Sequence, residues 1–150
     1  MKRTVSLIFD YPYPAEQVWK VTTDLALLEE VMSGLIGFRA LPTGQIFEGQ
    51  RIKVGVSLFN FFPYQPYEME VVEFDPNRHY FRSHERGAGV RSWEHQLKLD
   101  ETQSGCRLLE TVEIDAGILT PAFKAWAAWV YRRRHLPRLN ILARLARENI

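Results

Sequence analysis

Between Gln50 and Asp115 the clearest runs alternate apolar and polar residues; from Pro121 onward apolar residues recur at every third or fourth position. This change of period constrains the fold more than any other feature. A period of two sends side chains to alternate faces of a strand, whereas a period near 3.6 lays a stripe along a helix. The stretch "QRIKVGVSLF" places Ile52, Val54, Val56 and Leu58 on one face and Lys53, Gly55 and Ser57 on the other. After Pro121, Phe123, Trp126, Ala127 and Val130 fall on one helical stripe, and Leu139, Leu142 and Leu145 continue an apolar side beyond Pro137. Proline inside a helix removes a hydrogen bond and crowds the preceding turn, so a kink or break is expected near Leu136.

The strands expected within the alternating region are Phe38 to Leu41, Gln50 to Phe59, Tyr67 to Phe74, His79 to Arg86, Val90 to Asp100 and Cys106 to Asp115. Turn chemistry punctuates them: "DPNR" at 75–78, "GAG" at 87–89 and "ETQSG" at 101–105. Connections this short make antiparallel hairpins. Ahead of them, Thr4 to Phe9 is β-branched and apolar and reads as a first strand, ended by "DYPYP". Pro14 suits the first turn of a helix running through "PAEQVWKVTTD", and Asp24 suits the cap of a second short helix, Leu25 to Met32. The order is strand, two short helices, about six strands and a long C-terminal helix. A curved antiparallel sheet cannot bury one whole face alone, and a helix with an apolar stripe covers it. The expected fold class is α+β, with about seven strands and a helix across the concave face.

One domain over residues 1–150 fits the length, since a chain of 150 residues can enclose a sizeable core. A single cysteine, Cys106, excludes an intramolecular disulfide and agrees with a reducing cytoplasm. No apolar run reaches transmembrane length, and "MKRTVSLIFDYPYP" lacks the apolar stretch and cleavage site of a signal peptide. His79, His84, His95 and His135 show no metal-ligand spacing, and no phosphate or dinucleotide loop occurs, so neither metal nor cofactor is expected. The net charge of +1 is divided unevenly: residues 121–150 carry net +6 and residues 1–120 net −5. The basic segment has no nucleic-acid motif beside it, so nucleic acid is not expected as a partner.

The phrase "YPAEQVWKVTTDLALLEEVM" at 13–32, the hairpin "VVEFDPNRHYFRS" at 71–83 and the paired strands "SWEHQLKLDETQSGCRLLETVEID" at 92–115 resemble the START-like superfamily. This is the helix-grip group also called SRPBCC or Bet v 1-like, which includes the polyketide cyclase/dehydrase family. The resemblance spans nearly the whole chain; Pro137 inside the last helix departs from it. It implies a deep cavity between sheet and C-terminal helix that holds a hydrophobic small molecule. It implies no single activity, because members include carriers, cyclases, dehydratases, hormone receptors and quinone-binding proteins.

If "GAG" is a three-residue loop, Arg86 pairs with Val90. Phe81 then lies opposite His95 and Ser83 opposite Trp93 on the inner face, with Arg82 opposite Glu94 outside. If Asp100 pairs with Gly105, Leu97 faces Leu108, His95 faces Glu110 and Trp93 faces Val112. A one-residue slip would instead turn Arg107, Leu109, Thr111 and Glu113 inward, and the first register keeps the inner face more apolar. It sets an imidazole beside a carboxylate, both aimed at the helix. Such a pair serves as general acid or base, or it orients a guest while Glu110 is held by His95 and an arginine or tyrosine hydroxyl. The expected cavity lining is Val54, Val56, Leu58, Tyr67, Met69, Phe81, Ser83, Trp93, His95, Glu110, Val112, Phe123, Trp126, Ala127 and Val130.

Two further segments stand out. "LFNFFPYQPYE" at 58–68 is too proline-rich for a continuous strand; it is either an aromatic lip over the cavity mouth or a plug at one end. "WVYRRRHLPR" at 129–138 reads as a solvated helix face or, with Trp126 and Trp129, as a weak contact with an anionic membrane. The functions that remain are a carrier of a lipid, quinone or aromatic metabolite, a cyclase or dehydratase using His95 and Glu110, and a membrane-associated chaperone, each as monomer or homodimer.

Overall fold

The structure is a computed structural model and describes residues 2–148. Its elements run β1 (Arg3–Tyr11), α1 (Ala15–Thr22), α2 (Leu25–Val31), β2 (Ile36–Arg39), β3 (Arg51–Leu58), β4 (Gln65–Asp75), β5 (Tyr80–Gly87), β6 (Val90–Thr102), β7 (Gly105–Asp115), a 3-10 turn (Gly117–Leu119), α3 (Thr120–Arg133) and α4 (His135–Glu148). The seven strands form one antiparallel sheet in the order β1-β7-β6-β5-β4-β3-β2. Strands β2 to β7 follow one another as hairpin neighbours, and β1 returns to the far edge beside β7. The α+β architecture read from the sequence is the one observed, and the helix-grip arrangement with it.

Local chemistry accounts for the element ends. Asp24 caps α2, its Oδ1 accepting from the amides of Ala26 at 2.9 Å and Leu27 at 3.3 Å. Asp75 closes the "DPNR" turn in the same manner, accepting from Asn77 and Arg78. Pro121 sits in the first turn of α3, where its missing N–H costs nothing.

The C-terminal helix breaks at Arg134, slightly ahead of the expected position. A proline ring collides with the carbonyl four residues earlier, here that of Arg133, so helical pairing ends there. Pro137 then falls in the first turn of α4, where proline is tolerated. The two halves divide the covering role. α3 lies on β1 and β7, while α4 packs on α1.

Both expected hairpin registers are off by two residues. Between β5 and β6 the turn is Ala88-Gly89, both at positive φ, so Gly87 pairs with Val90. A bulge between Glu85 and Gly87 adds a second step, which sets Ser83 opposite His95, Phe81 opposite Leu97 and His84 opposite Glu94. The β6–β7 hairpin pairs up to Thr102↔Gly105, which sets His95 opposite Val112 and Leu97 opposite Glu110. A shift of two preserves the facing of every side chain. Diagonal contacts therefore replace direct ones: Arg82 Nη1 still reaches Glu94 at 2.7 Å, and the Phe81 and His95 rings meet edge to face at 5.5 Å.

The inner face of the sheet packs in two directions. Trp19, Val18, Ala15, Leu97, Leu108, Ile141 and Leu142 form a dry end around α1 and α4. Trp93, Val112, Ile114, Ala127, Val130 and Tyr131 join the sheet to α3. Between these clusters the interior is hollow.

Candidate functional site

The hollow has a volume of about 160 Å³ and is bounded by α2, β2 to β6 and α3. Of the expected lining, Val56, Leu58, Tyr67, Met69, Phe81, Ser83, Trp93, His95, Phe123, Trp126 and Val130 border it. Val54, Val112 and Ala127 do not: each is buried within a packed cluster next to the wall. Glu110 is also off the wall. The two-residue register shift carries it one pair further along β7, behind His95 as seen from the cavity. Several wall residues escaped the sequence reading, among them Met32 of α2, Ile36 and Phe38 of β2, Glu85, Tyr131 and Arg134.

Polar groups gather at one end. Glu110 is fully buried and accepts at Oε1 from Arg134 Nη2 at 3.1 Å and Arg138 Nη2 at 2.9 Å. His95 Nε2 lies 3.8 Å from the same oxygen, within ion-pair range but too far for a hydrogen bond. Burial by itself would raise the Glu110 carboxyl, but the charges of Arg138 and Arg134 outweigh it and hold the group well below the ordinary carboxylate range. The carboxylate is thus a fixed anion and a poor proton acceptor. The guanidinium of Arg134 lies over the Tyr131 ring at 4.3 Å, and the Tyr131 hydroxyl accepts from Trp93 Nε1 at 3.3 Å.

The arginine run therefore divides. Arg132 and Arg133 are exposed, as a solvated face predicts, but Arg134 and Arg138 are buried. Their spacing was the available signal. Positions 127, 130, 131, 134, 138, 141 and 142 make one continuous helical stripe, apolar except for the two arginines.

On β5, where Ser83 pairs with His95 and Glu85 with Trp93, Glu85 accepts from the Tyr67 hydroxyl and from Ser83 Oγ, each at 2.9 Å. The segment joining β3 to β4 does not plug the interior: Phe61 is 83% exposed, Phe62 is exposed too, and Phe59 packs its ring on Trp126 and Trp129. Cys106 is buried on the inner face at the dry end, and burial pushes its thiol up to about 11, so it is no nucleophile.

A curled antiparallel sheet gripping a C-terminal helix around an apolar hollow defines a START-like, SRPBCC-type fold. Within that class, the chain belongs to the family described as Domain of unknown function (DUF8410), whose family model matches residues 11–141. Solved structures agree on the fold. A START superfamily protein from Mycobacterium smegmatis superposes with a TM-score of 0.71 at 12% identity, covering 95% of this chain and 98% of that one. The Zhui aromatase/cyclase from Streptomyces sp. R1128 gives 0.66 at 18% identity, covering 100% and 97%. A protein from Rhodobacter sphaeroides gives 0.76 at 17% identity, covering 95% and 93%. No curated protein matches the chain. Among the described residues no helix is long and apolar enough to cross a membrane.

Proposed function

We propose that this chain binds a compact hydrophobic small molecule in the cavity between its sheet and α3. The hollow itself carries the reading. Interiors are packed with few voids larger than a water molecule, so a wall of Ile, Val, Leu, Met and aromatic side chains around about 160 Å³ of space is an unfilled apolar site. The volume lies below the roughly 300 Å³ at which drug-sized pockets begin, which favours a guest of one or two rings over a two-chain lipid. A START superfamily protein and an aromatase/cyclase among the structural neighbours support the same class of guest.

Native mass spectrometry of the freshly purified protein is expected to show a retained small molecule. Val56→Phe, on the wall, is expected to weaken binding of a naphthalene-sized probe by about tenfold or more while the melting temperature holds or rises. A protein that retains nothing, and that no aromatic probe stabilises, refutes the reading.

Binding is better supported than acid–base catalysis. A general base needs a proton affinity near the working pH, and Glu110 is locked by two guanidiniums behind the wall.

Exchange of the guest at an anionic bilayer is supported by exposed aromatic and basic side chains on the β3–β4 segment and α3. Phe59 packs on Trp126 of the cavity wall and on exposed Trp129, over which Arg133 lies; Phe61 and Phe62 of the same segment are exposed, as are Lys124, Arg132 and Arg133 of α3, a helix without a single acidic residue. Vesicles containing phosphatidylserine are expected to co-sediment with the protein at low salt. Phe61→Ser combined with Arg132→Glu and Arg133→Glu is expected to abolish this; an unchanged pellet refutes it.

A further inference from the structure

The buried arginine cluster is not electrically complete in itself. Arg134 and Arg138 bring two positive charges, and Glu110, which pairs with both, returns one; Glu85, opposite Trp93 on β5, brings a further carboxylate to the wall but is engaged by Tyr67 and Ser83. The C-terminal end of α3, at Arg134, adds only about half a negative charge of backbone dipole. Buried guanidinium groups left in excess are costly unless something anionic joins them.

The unspent donors point to where that group sits. Arg134 Nε is buried with no partner, although the side chain is 93% buried and borders the cavity. His95 Nε2, also on the wall, has no hydrogen-bond partner. The Tyr131 hydroxyl accepts from Trp93, and its own proton goes to no acceptor among the described residues. These three groups border one hollow whose lining is mainly apolar. Arg138 shares Glu110 Oε1 with Arg134 and lies off the cavity wall, so it does not occupy the space. Two carboxylates border the cavity, and both are already engaged: Asp24 caps α2 through the amides of Ala26 and Leu27, and Glu85 is bound by Tyr67 and Ser83.

We propose that the cavity selects an anionic guest, a one- or two-ring apolar body bearing a carboxylate, with that carboxylate against Arg134 and flanked by Tyr131 and His95. The proposal rests on the binding reading above and adds the charge of the guest. A guanidinium matches a carboxylate in geometry as well as in sign, and in a dry site the pairing is stronger than in water. Arg134 is then shared: one edge holds Glu110, and the remaining donors hold the guest.

The test is a calorimetric titration of the full chain at pH 7.5 with 2-naphthoate, its uncharged near-isostere 2-naphthamide and the cation 2-naphthylmethylamine. Naphthoate is expected to bind at least about tenfold more tightly than the amide, the range of a charge-assisted hydrogen bond. Arg134→Gln is expected to reduce that preference to within about threefold while amide binding persists, and Arg134→Lys to restore part of it. The wild-type comparison decides the matter even if Arg134→Gln does not fold. Equal affinity for naphthoate and amide overturns the anion proposal and leaves the binding reading standing, as does preference for the amine. Failure of all three probes to bind overturns both.

Discussion

Glu110→Gln is expected to lower the unfolding free energy by about 3–5 kcal/mol, read from urea denaturation, because the change leaves two buried guanidiniums facing a neutral amide. Most of that loss is the desolvation of charges that no longer have a counter-ion. A triple variant, Glu110→Leu with Arg134→Met and Arg138→Met, removes the unpaired charges together with their partner and is expected to recover most of the stability or exceed it. The pH dependence follows from the sign of the shift. The folded-state pKa of Glu110 lies below its unfolded value, so its contribution is fully present above the ordinary carboxylate range near 4.5 and is lost as pH falls through the depressed folded value. The stability gap between wild type and Glu110→Gln is therefore expected to be widest near neutral pH and to narrow below about 4.5. A gap that stays constant down to pH 3 would show that the carboxylate charge is not what the arginines need.

Trp19→Ala is expected to cost about as much, 3–5 kcal/mol by the same measurement, for an unrelated reason. The indole is 2% exposed at the dry end of the interior, with the Phe74, His79 and Phe81 rings around it at 5.3, 5.6 and 6.1 Å. Its removal leaves a void that β4, β5 and α1 cannot close, since the sheet ladder fixes two of them. Phe81 also borders the cavity, so losing its support enlarges the site from behind. Trp19→Phe, which keeps most of the volume, is expected to recover more than half of the loss. A loss below about 1 kcal/mol for the alanine variant would mean that the surrounding elements collapse freely, contrary to the packing described.

The fold was legible because its signals are periodic and local: alternation for the strands, a 3.6 stripe for α3 and α4, Asp24 and Pro121 at helix starts, and Asp75 in a turn. Facing was legible for the same reason, so His95 was placed inward correctly. Register was not. It depends on whether Arg86 bulges and on how far β6 and β7 pair past Asp100, and neither leaves a mark in the hydrophobic pattern. The cost of that ambiguity fell on the site. Glu110 moved from directly opposite His95 to a diagonal position, where arginines from the helix reach it first. Those arginines were hidden in a basic run that composition alone assigns to solvent. Only their place on the apolar stripe, four residues apart across the break at Arg134, distinguishes them from Arg132 and Arg133.

The pairing of the first strand with the last has a consequence for how the chain is made. Arg3 lies opposite Ile114 and Tyr11 opposite Cys106, so β1 has no partner until roughly a hundred further residues exist. At about 5–20 residues per second of synthesis, that is a wait on the order of 5–20 s. Until then Val5 and Leu7 lack the β7 and α3 residues of their cluster, while the partners of β2 to β6 are sequence neighbours. The β1–β7 seam is thus the strand pairing of greatest sequence separation in the sheet, and the α3 helix rests on both of its strands.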